Sequence, residues 1–144
     1  MGTVKAVCTS TIKGIQKTET PSVTIETDFG IRGDAHAGKW HRQISLLSYE
    51  SVEDFKAKGA EVDNGSFGEN LVVEGFDLKA LALGTQFICN DVILELTQIG
   101  KECHAHCAIY HEMGDCIMPR EGVFTKVIRG GTIGVGDNIE IYCA

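Results

Sequence analysis

The sequence predicts a mainly β fold: a small β-barrel or folded sheet carrying one or two short helices. Three observations point there. Seven or eight short runs alternate or cluster as strands do, glycine-rich turns separate most of them, and only one stretch has clear helical spacing. The first strand is residues 3–10, with Val4, Ala6 and Cys8 expected on one side and Lys5 and Thr9 on the other. Residues 11–20 are polar around Gly14, a loop or weak hairpin, and residues 22–26 form the second strand. Ile44 to Leu47 is a short strand leading into a helix from Tyr49 to Lys58. There Val52 and Phe55 lie three apart, acids come first, lysines come last and Gly59 follows as the stop. That helix is expected on the outside of a sheet.

Asn64-Gly65 is a strong turn signal ahead of the strand from Leu71 to Glu74. Glu69 and Asn70, just before that strand, suit either a pocket lining or a loop that caps the strand. Residues 78–83 form a short turn. Gln86 to Cys89 and Val92 to Ile99 pair as a hairpin about Asn90-Asp91. Val123 to Ile128 is the next strand, Gly130 to Asp137 is turn-rich, and Asn138 to Cys143 closes the chain. No repeat, low-complexity tract or linker interrupts residues 1–144, so a single domain is expected. It is large enough to bury a core without disulfide or metal staples.

The net charge of −7 argues against nucleic-acid or anionic-membrane partners, and no run reaches the roughly 18–20 apolar residues of a membrane span. The N-terminus lacks the apolar core of a signal peptide, which points to the cytoplasm. In that compartment six cysteines are expected as thiols or metal ligands rather than disulfides. Cys8 and Cys89 fall in strand patterns and are expected to be buried and inert.

Two stretches concentrate chemistry. Residues 28–43 hold Arg32, His36, Lys39, His41 and Arg42 among closely spaced glycines, a locally basic loop in an acidic protein. One reading is a receptor for an anionic group, with the arginines as forked donors suited to phosphate. The other is a solvated loop whose arginines pair with Asp28 and Asp34. The second stretch runs from Gly100 to Cys116, with three cysteines and three histidines after Cys103 is reached at the end of a strand. Cys103 beside Lys101 and His104 suits a thiolate of lowered pKa, one that carries sulfur as a persulfide or ligates a soft metal. A structural zinc on Cys103, Cys107, His111 or Cys116 is a second reading, and cysteines packed in a core a third.

The pieces Gly30-Ile31-Arg32-Gly33-Asp34-Ala35-His36-Ala37-Gly38, Arg42 to Leu47, Gly65 to Leu71, Gly84-Thr85, Lys101 to His104, Gly122 to Phe124, Gly130-Gly131 and Gly136-Asp137 are similar, in order and spacing, to the MOSC domain. This is the module named after the C-terminal part of molybdenum cofactor sulfurase, here in its small standalone form. The resemblance implies a MOSC-type β-barrel that binds the molybdenum cofactor, molybdopterin. It implies Cys103 as molybdenum ligand or sulfur carrier, with Lys101 and His104 beside it and Cys107 as a further metal ligand. Arg32, His36, Arg42, Ser45 and Asn70 would hold the pterin and its phosphate, with both arginines facing the cavity of Cys103. The function so implied is maturation, sulfuration or delivery of the cofactor, with assembly proteins or a sulfur donor as partners. Two alternatives stay open. One is a stand-alone enzyme, a sulfur transferase or a molybdenum-dependent reductase, that reduces N-hydroxylated compounds or acts on a carbon–sulfur substrate through Cys103. The other is a zinc-stabilised interaction module.

Overall fold

The structure is a computed structural model that describes residues 2–12, 16–100 and 122–142. Its strands are β1 (Gly2–Thr9), β2 (Thr18–Glu19), β3 (Ser22–Glu26), β4 (Gly30–Ile31), β5 (Ile44–Ser48), β6 (Leu71–Glu74), β7 (Gln86–Cys89), β8 (Val92–Ile99), β9 (Val123–Arg129), β10 (Gly131–Gly134) and β11 (Asn138–Ile141). One α-helix, α1 (Tyr49–Ala57), follows β5 directly, and a single 3-10 turn spans Leu78–Ala80. Seven strands close on themselves in the order β11-β7-β8-β9-β5-β6-β1, and β1 pairs back to β11. The architecture is a closed β-barrel, as the strand pattern predicts.

All neighbours in the barrel are antiparallel except β5 and β6, which run parallel. Parallel neighbours need a crossover, and α1 supplies it. The helix lies on the outside of β5 and β6, where Val52 and Phe55 pack with Leu47, Phe67 and Phe124. The strand under it is therefore covered on both faces, and all five residues of β5 are buried. Ile44 and Leu46 point into the main core with Leu71, Val73, Leu94 and Val127, whereas Leu47 points out toward α1. Ser45 shares the outward side by its alternation with those core residues. A smaller sheet of β10, β3 and β4 contributes Ile25, Ile31 and Ile133 to the main core.

Two local expectations change. Val4, Ala6 and Cys8 do not share a face. The register between β1 and β6 shifts between Val4 and Ala6, so Val4 and Val7 enter the barrel core while Ala6 and Cys8 pack outside it with Val72. An extra residue in one strand reverses the alternation beyond it. The turn-rich stretch 130–137 contains β10, paired with β3 from Gly131↔Ile25 to Gly134↔Ser22. Its glycines hide a strand from composition: a Cβ at Gly130 would collide with the backbone of Ile25 and Thr27, and one at Gly131 would sit tightly against Val92 and Asp91.

The polar interior is organised by Lys17. Its ammonium lies 2.8 Å from Asp34 Oδ1, and both side chains are fully buried. Asp34 also accepts the backbone N–H groups of Ser10 and His36. Lys17 donates its own N–H to Gly65 O, and Gly65 N donates to Glu69 Oε2. Glu69 accepts Phe67 N as well, so the glutamate caps the turn before β6 rather than facing a pocket. Burial pushes the Glu69 carboxyl above its ordinary range, against the pull of these backbone donors and of Lys17.

Two predictions follow from this packing. Gly65 has φ +92°, and a Cβ there would overlap the Lys17 carbonyl. Gly65→Ala should lower stability by roughly 3 kcal/mol or more, from left-handed strain plus the clash. Gly33→Ala, at φ +85° in open space, should cost only about 1 kcal/mol. Equal urea midpoints for the two variants would contradict the packing described. Lys17→Met leaves Asp34 charged and buried without its partner and should cost about 3–5 kcal/mol. Adding Asp34→Asn, which removes the charge and keeps an acceptor for one of the two backbone donors, Ser10 or His36, should recover part of that loss in the same denaturation assay.

Candidate functional site

The basic loop between β4 and β5 is tied to the barrel before it presents any side chain outward. Asp34 fixes its start through Lys17, and Ala35 N donates to Ser10 O at 2.7 Å. Gln43, fully buried, fixes its end: its backbone N donates to Thr125 O at 3.0 Å and its Oε1 accepts Val127 N at 2.8 Å. Its Nε2 donates to Gly38 O and Asp28 Oδ1. Between these anchors the loop lies against β9 on the side of Phe124, which belongs to the outer cluster under α1.

There the Arg42 guanidinium sits 4.6 Å from the Trp40 ring centroid and 5.5 Å from that of Phe124. Rings on its faces leave the guanidinium its in-plane edges for hydrogen bonding. Nε of Arg42 is buried and has no hydrogen-bond partner among the described residues. Leaving such a donor unmatched costs roughly 1–3 kcal/mol, so the position suits an acceptor from outside. Trp40 is held by Nε1 donating to His36 O at 2.7 Å, and its ring is nearly parallel to that of His36, with 6.4 Å between centroids.

Phe124 pairs directly with Ser45 across the β5–β9 ladder, and Ser45 is locked to Asn70. Asn70 Oδ1 accepts Ser45 N at 3.0 Å and Ser45 Oγ at 3.2 Å, while Asn70 N donates back to Ser45 Oγ at 3.0 Å. Asn70 Nδ2 then donates to Cys8 O at 3.1 Å, which stitches β5, β6 and β1 together on their outer side. His36, Arg42, Ser45 and Asn70 thus form one connected group through Trp40 and Phe124. Arg32 does not join it. Its Nε faces Glu26 at 3.5 Å on the surface, with two thirds of the side chain (67%) exposed. The arginines do not pair with Asp28 or Asp34: Asp34 belongs to Lys17, and Asp28 receives Gln43.

The far edge of the group is built by a bulge in β8. The β8–β9 register shifts between Leu96 and Gln98, which lets the adjacent residues Thr97 and Gln98 both reach His41. Thr97 Oγ1 donates to the His41 carbonyl and, at 3.1 Å, to Phe124 O. Gln98 Oε1 lies 2.7 Å from His41 Nε2, and Gln98 Nε2 donates to Gly100 O at 2.8 Å. Gly100 N in turn donates to Gly122 O at 2.6 Å. The described residues stop at Gly100 and resume at Gly122, two residues before Phe124. Lys101, Cys103, His104, Cys107, His111 and Cys116 lie outside the described residues.

Cys8 and Cys89 are free and buried, as expected. Burial, with lesser contributions from Glu69 and Glu19 and an opposing one from Lys17, pushes the Cys8 thiol up to about 12. Burial and the Asp137 charge push Cys89 up to about 11. Neither is a nucleophile near neutral pH. Among the described residues no group of three or more His, Cys, Asp or Glu is placed to hold a metal ion. No helix among them is long and apolar enough to cross a membrane. The sequence reading passed over Trp40, Phe124, Thr97, Gln98 and Lys17. Trp40, the only tryptophan and two residues from Arg42, carried a readable signal; a bulge and a buried lysine carried none.

Solved structures share this fold. The YUAD protein from Bacillus subtilis superposes with a TM-score of 0.80 at 20% identity, covering 96% of this chain and 94% of that one. YiiM from Geobacillus stearothermophilus gives 0.72 at 19% identity, covering 99% and 75%, and YiiM from Escherichia coli gives 0.70 at 17%, covering 100% and 71%. No curated protein matches the chain by sequence. The MOSC domain model, whose family is associated with the molybdenum cofactor, matches residues 33–140, from the basic loop to the last strand of the barrel. The chain belongs to the MOSC domain family.

Proposed function

We propose that this chain is a single MOSC module that binds the molybdenum cofactor at the outer face around Arg42 and serves its maturation, sulfuration or delivery. The observation that carries this is the buried, unmatched Nε of Arg42, whose guanidinium lies 4.6 Å from the Trp40 ring centroid and 5.5 Å from that of Phe124. A pterin cofactor brings a phosphate, and a planar, permanently charged fork is the side chain that receives one best. The donor set therefore fits the group. Arg42 would take the phosphate, His36 and Trp40 would lie beside the ring system, and Ser45 and Asn70 would form the floor. When bound, the cofactor supplies a soft metal that accepts sulfur ligands. Arg32 stays in the proposal only as an outlying charge on the same loop.

The metal-side ligand in this reading is Cys103, with Cys107 as its companion and Lys101 and His104 lowering the thiol pKa. Cys103 follows Gly100 by three residues, which extended chain bridges in at most about 11 Å. Gly100 is hydrogen-bonded to Gln98, the partner of His41. The covalent tether thus limits how far the thiol lies from the arginine side of the site. The Cys103 thiolate would take the outer sulfur of a partner protein's persulfide, releasing the partner's thiolate and holding that sulfur as a persulfide. Cytoplasmic residence, where thiols stay reduced, suits that role.

Protein purified without oxygen from a host that makes the cofactor should carry molybdenum and pterin in equal amounts. Arg42→Ala should weaken retention about tenfold or more, the effect of losing a charged hydrogen bond, with thermal stability checked in parallel. Stoichiometric zinc, with unfolding on chelation, would replace this function with the interaction module. Iodoacetamide at mildly acidic pH should mark Cys103 first, while Cys8 and Cys89 stay unmodified because burial disfavours both thiolates. A slow Cys103 whose serine variant unfolds would make that cysteine structural.

A further inference from the structure

The hydrogen bonds around Gln98 select the protonation pattern of His41. An amide side chain has one donating and one accepting end. Gln98 Nε2 lies 2.8 Å from Gly100 O, and the carbonyl there accepts only, so the NH2 group must face it. The opposite orientation would set two oxygens against each other. Oε1 is therefore the end that meets His41 Nε2 at 2.7 Å, and Nε2 must carry the proton. In the neutral ring the lone pair then resides on Nδ1. Among the described residues nothing is hydrogen-bonded to Nδ1, and the side chain is exposed.

The backbone of the same residue is fixed independently, because Thr97 Oγ1 donates to the His41 carbonyl. A regular strand would turn Thr97 and Gln98 to opposite faces; the bulge between Leu96 and Gln98 turns both toward one histidine. Ring and backbone are thus held by two successive residues, with Trp40 edge-on at 6.1 Å on the other side. Trp40 also lies 4.6 Å from the Arg42 guanidinium, so His41 and Arg42 share this ring as a neighbour.

We infer that His41 is a proton-accepting residue of this site, with Thr97 and Gln98 as its positioning residues. It serves a ligand that carries an acidic heteroatom–hydrogen bond, of N–H, O–H or S–H type. In the step, the ligand's X–H bond breaks with its electron pair left on X, and the proton forms a new N–H bond at Nδ1. The imidazolium so formed keeps its Nε2–H···O=C bond to Gln98, and Arg42 stands beside the anion that remains. No oxidant or second reactant is needed. The inference places a proton on a named atom and does not require the ligand to be the molybdenum cofactor, so it stands or falls apart from that reading.

The test uses the cofactor-free full chain. Long-range proton–nitrogen NMR correlation of the histidine rings, near pH 8, should show His41 protonated on Nε2 and bare on Nδ1. Gln98→Leu should speed exchange of that Nε2 proton with water by roughly two- to tenfold, the worth of one net hydrogen bond. Gln98→Glu, which keeps an acceptor, should restore the slow exchange. Diethyl pyrocarbonate, which acylates an unprotonated ring nitrogen, should modify His41 at Nδ1. A proton on Nδ1 in the wild-type protein, equal exchange in all three proteins, or acylation only at Nε2 would each overturn the inference. Thr97→Val serves as a second variant: it removes the backbone tether while leaving the ring bond, so the Nε2 proton should persist.

Discussion

A lysine and an aspartate withdrawn from water together hold the functional loop against the barrel. Lys17 comes from the polar stretch after β1, and Asp34 from the start of the basic loop. Each would be intolerable alone in that position, because the cost of desolvating one charge is repaid only by the other. The pair does not stand alone either. Asp34 takes two backbone donors, and Lys17 docks by its main chain onto Gly65, whose turn is closed by the buried Glu69. Four separate segments therefore share one polar knot. Gln43 provides the second anchor, and the residues between the anchors are exposed or partly exposed and carry the chemistry.

The barrel makes this arrangement possible by having two useful faces. Its core is apolar and its sheet is closed, which removes strand edges. Its exterior is covered by α1 over part of β5, β6 and β9, and the same exterior surface continues into the Arg42 group through Phe124. Phe124 thus joins the two regions: one ring packs in the outer cluster and also carries the Arg42 guanidinium. Ser45 and Asn70 extend that continuity across β5, β6 and β1 with hydrogen bonds rather than apolar contact.

Much of the barrel was legible because it obeys period-two alternation and turn chemistry. The β7–β8 hairpin, β5 with its following helix, and the two buried cysteines all sit where the pattern puts them. Legibility failed where one residue broke the period or where tertiary pairing overrode composition. The β1 bulge sends Val4 and Ala6 to opposite sides, and β10 forms from glycines that composition assigns to a turn. His36 and Arg42 meet through Trp40, and Ser45 and Asn70 connect to them through Phe124. Arg32, chosen for the same charge, turns instead to Glu26. Charge in a loop is visible in sequence, but the direction of a side chain depends on which residues anchor the loop, and Lys17 gave no sign that it would be one of them.

The two bulges are used in opposite ways. In β1 the irregularity shifts small side chains, Ala6 and Cys8, to an outer layer where they pack and do nothing chemical; burial keeps Cys8 protonated. In β8 it brings two polar neighbours, Thr97 and Gln98, onto one exposed histidine at the point where the chain departs toward its cysteines. A regular strand turns adjacent residues to opposite faces and would have left His41 with at most one of these partners. Because Gln98 is itself oriented by Gly100, the residue that roots the cysteine segment also determines which nitrogen of His41 is bare. The basic loop and the strand end that precedes the cysteine-rich stretch are therefore linked through a single amide, that of Gln98.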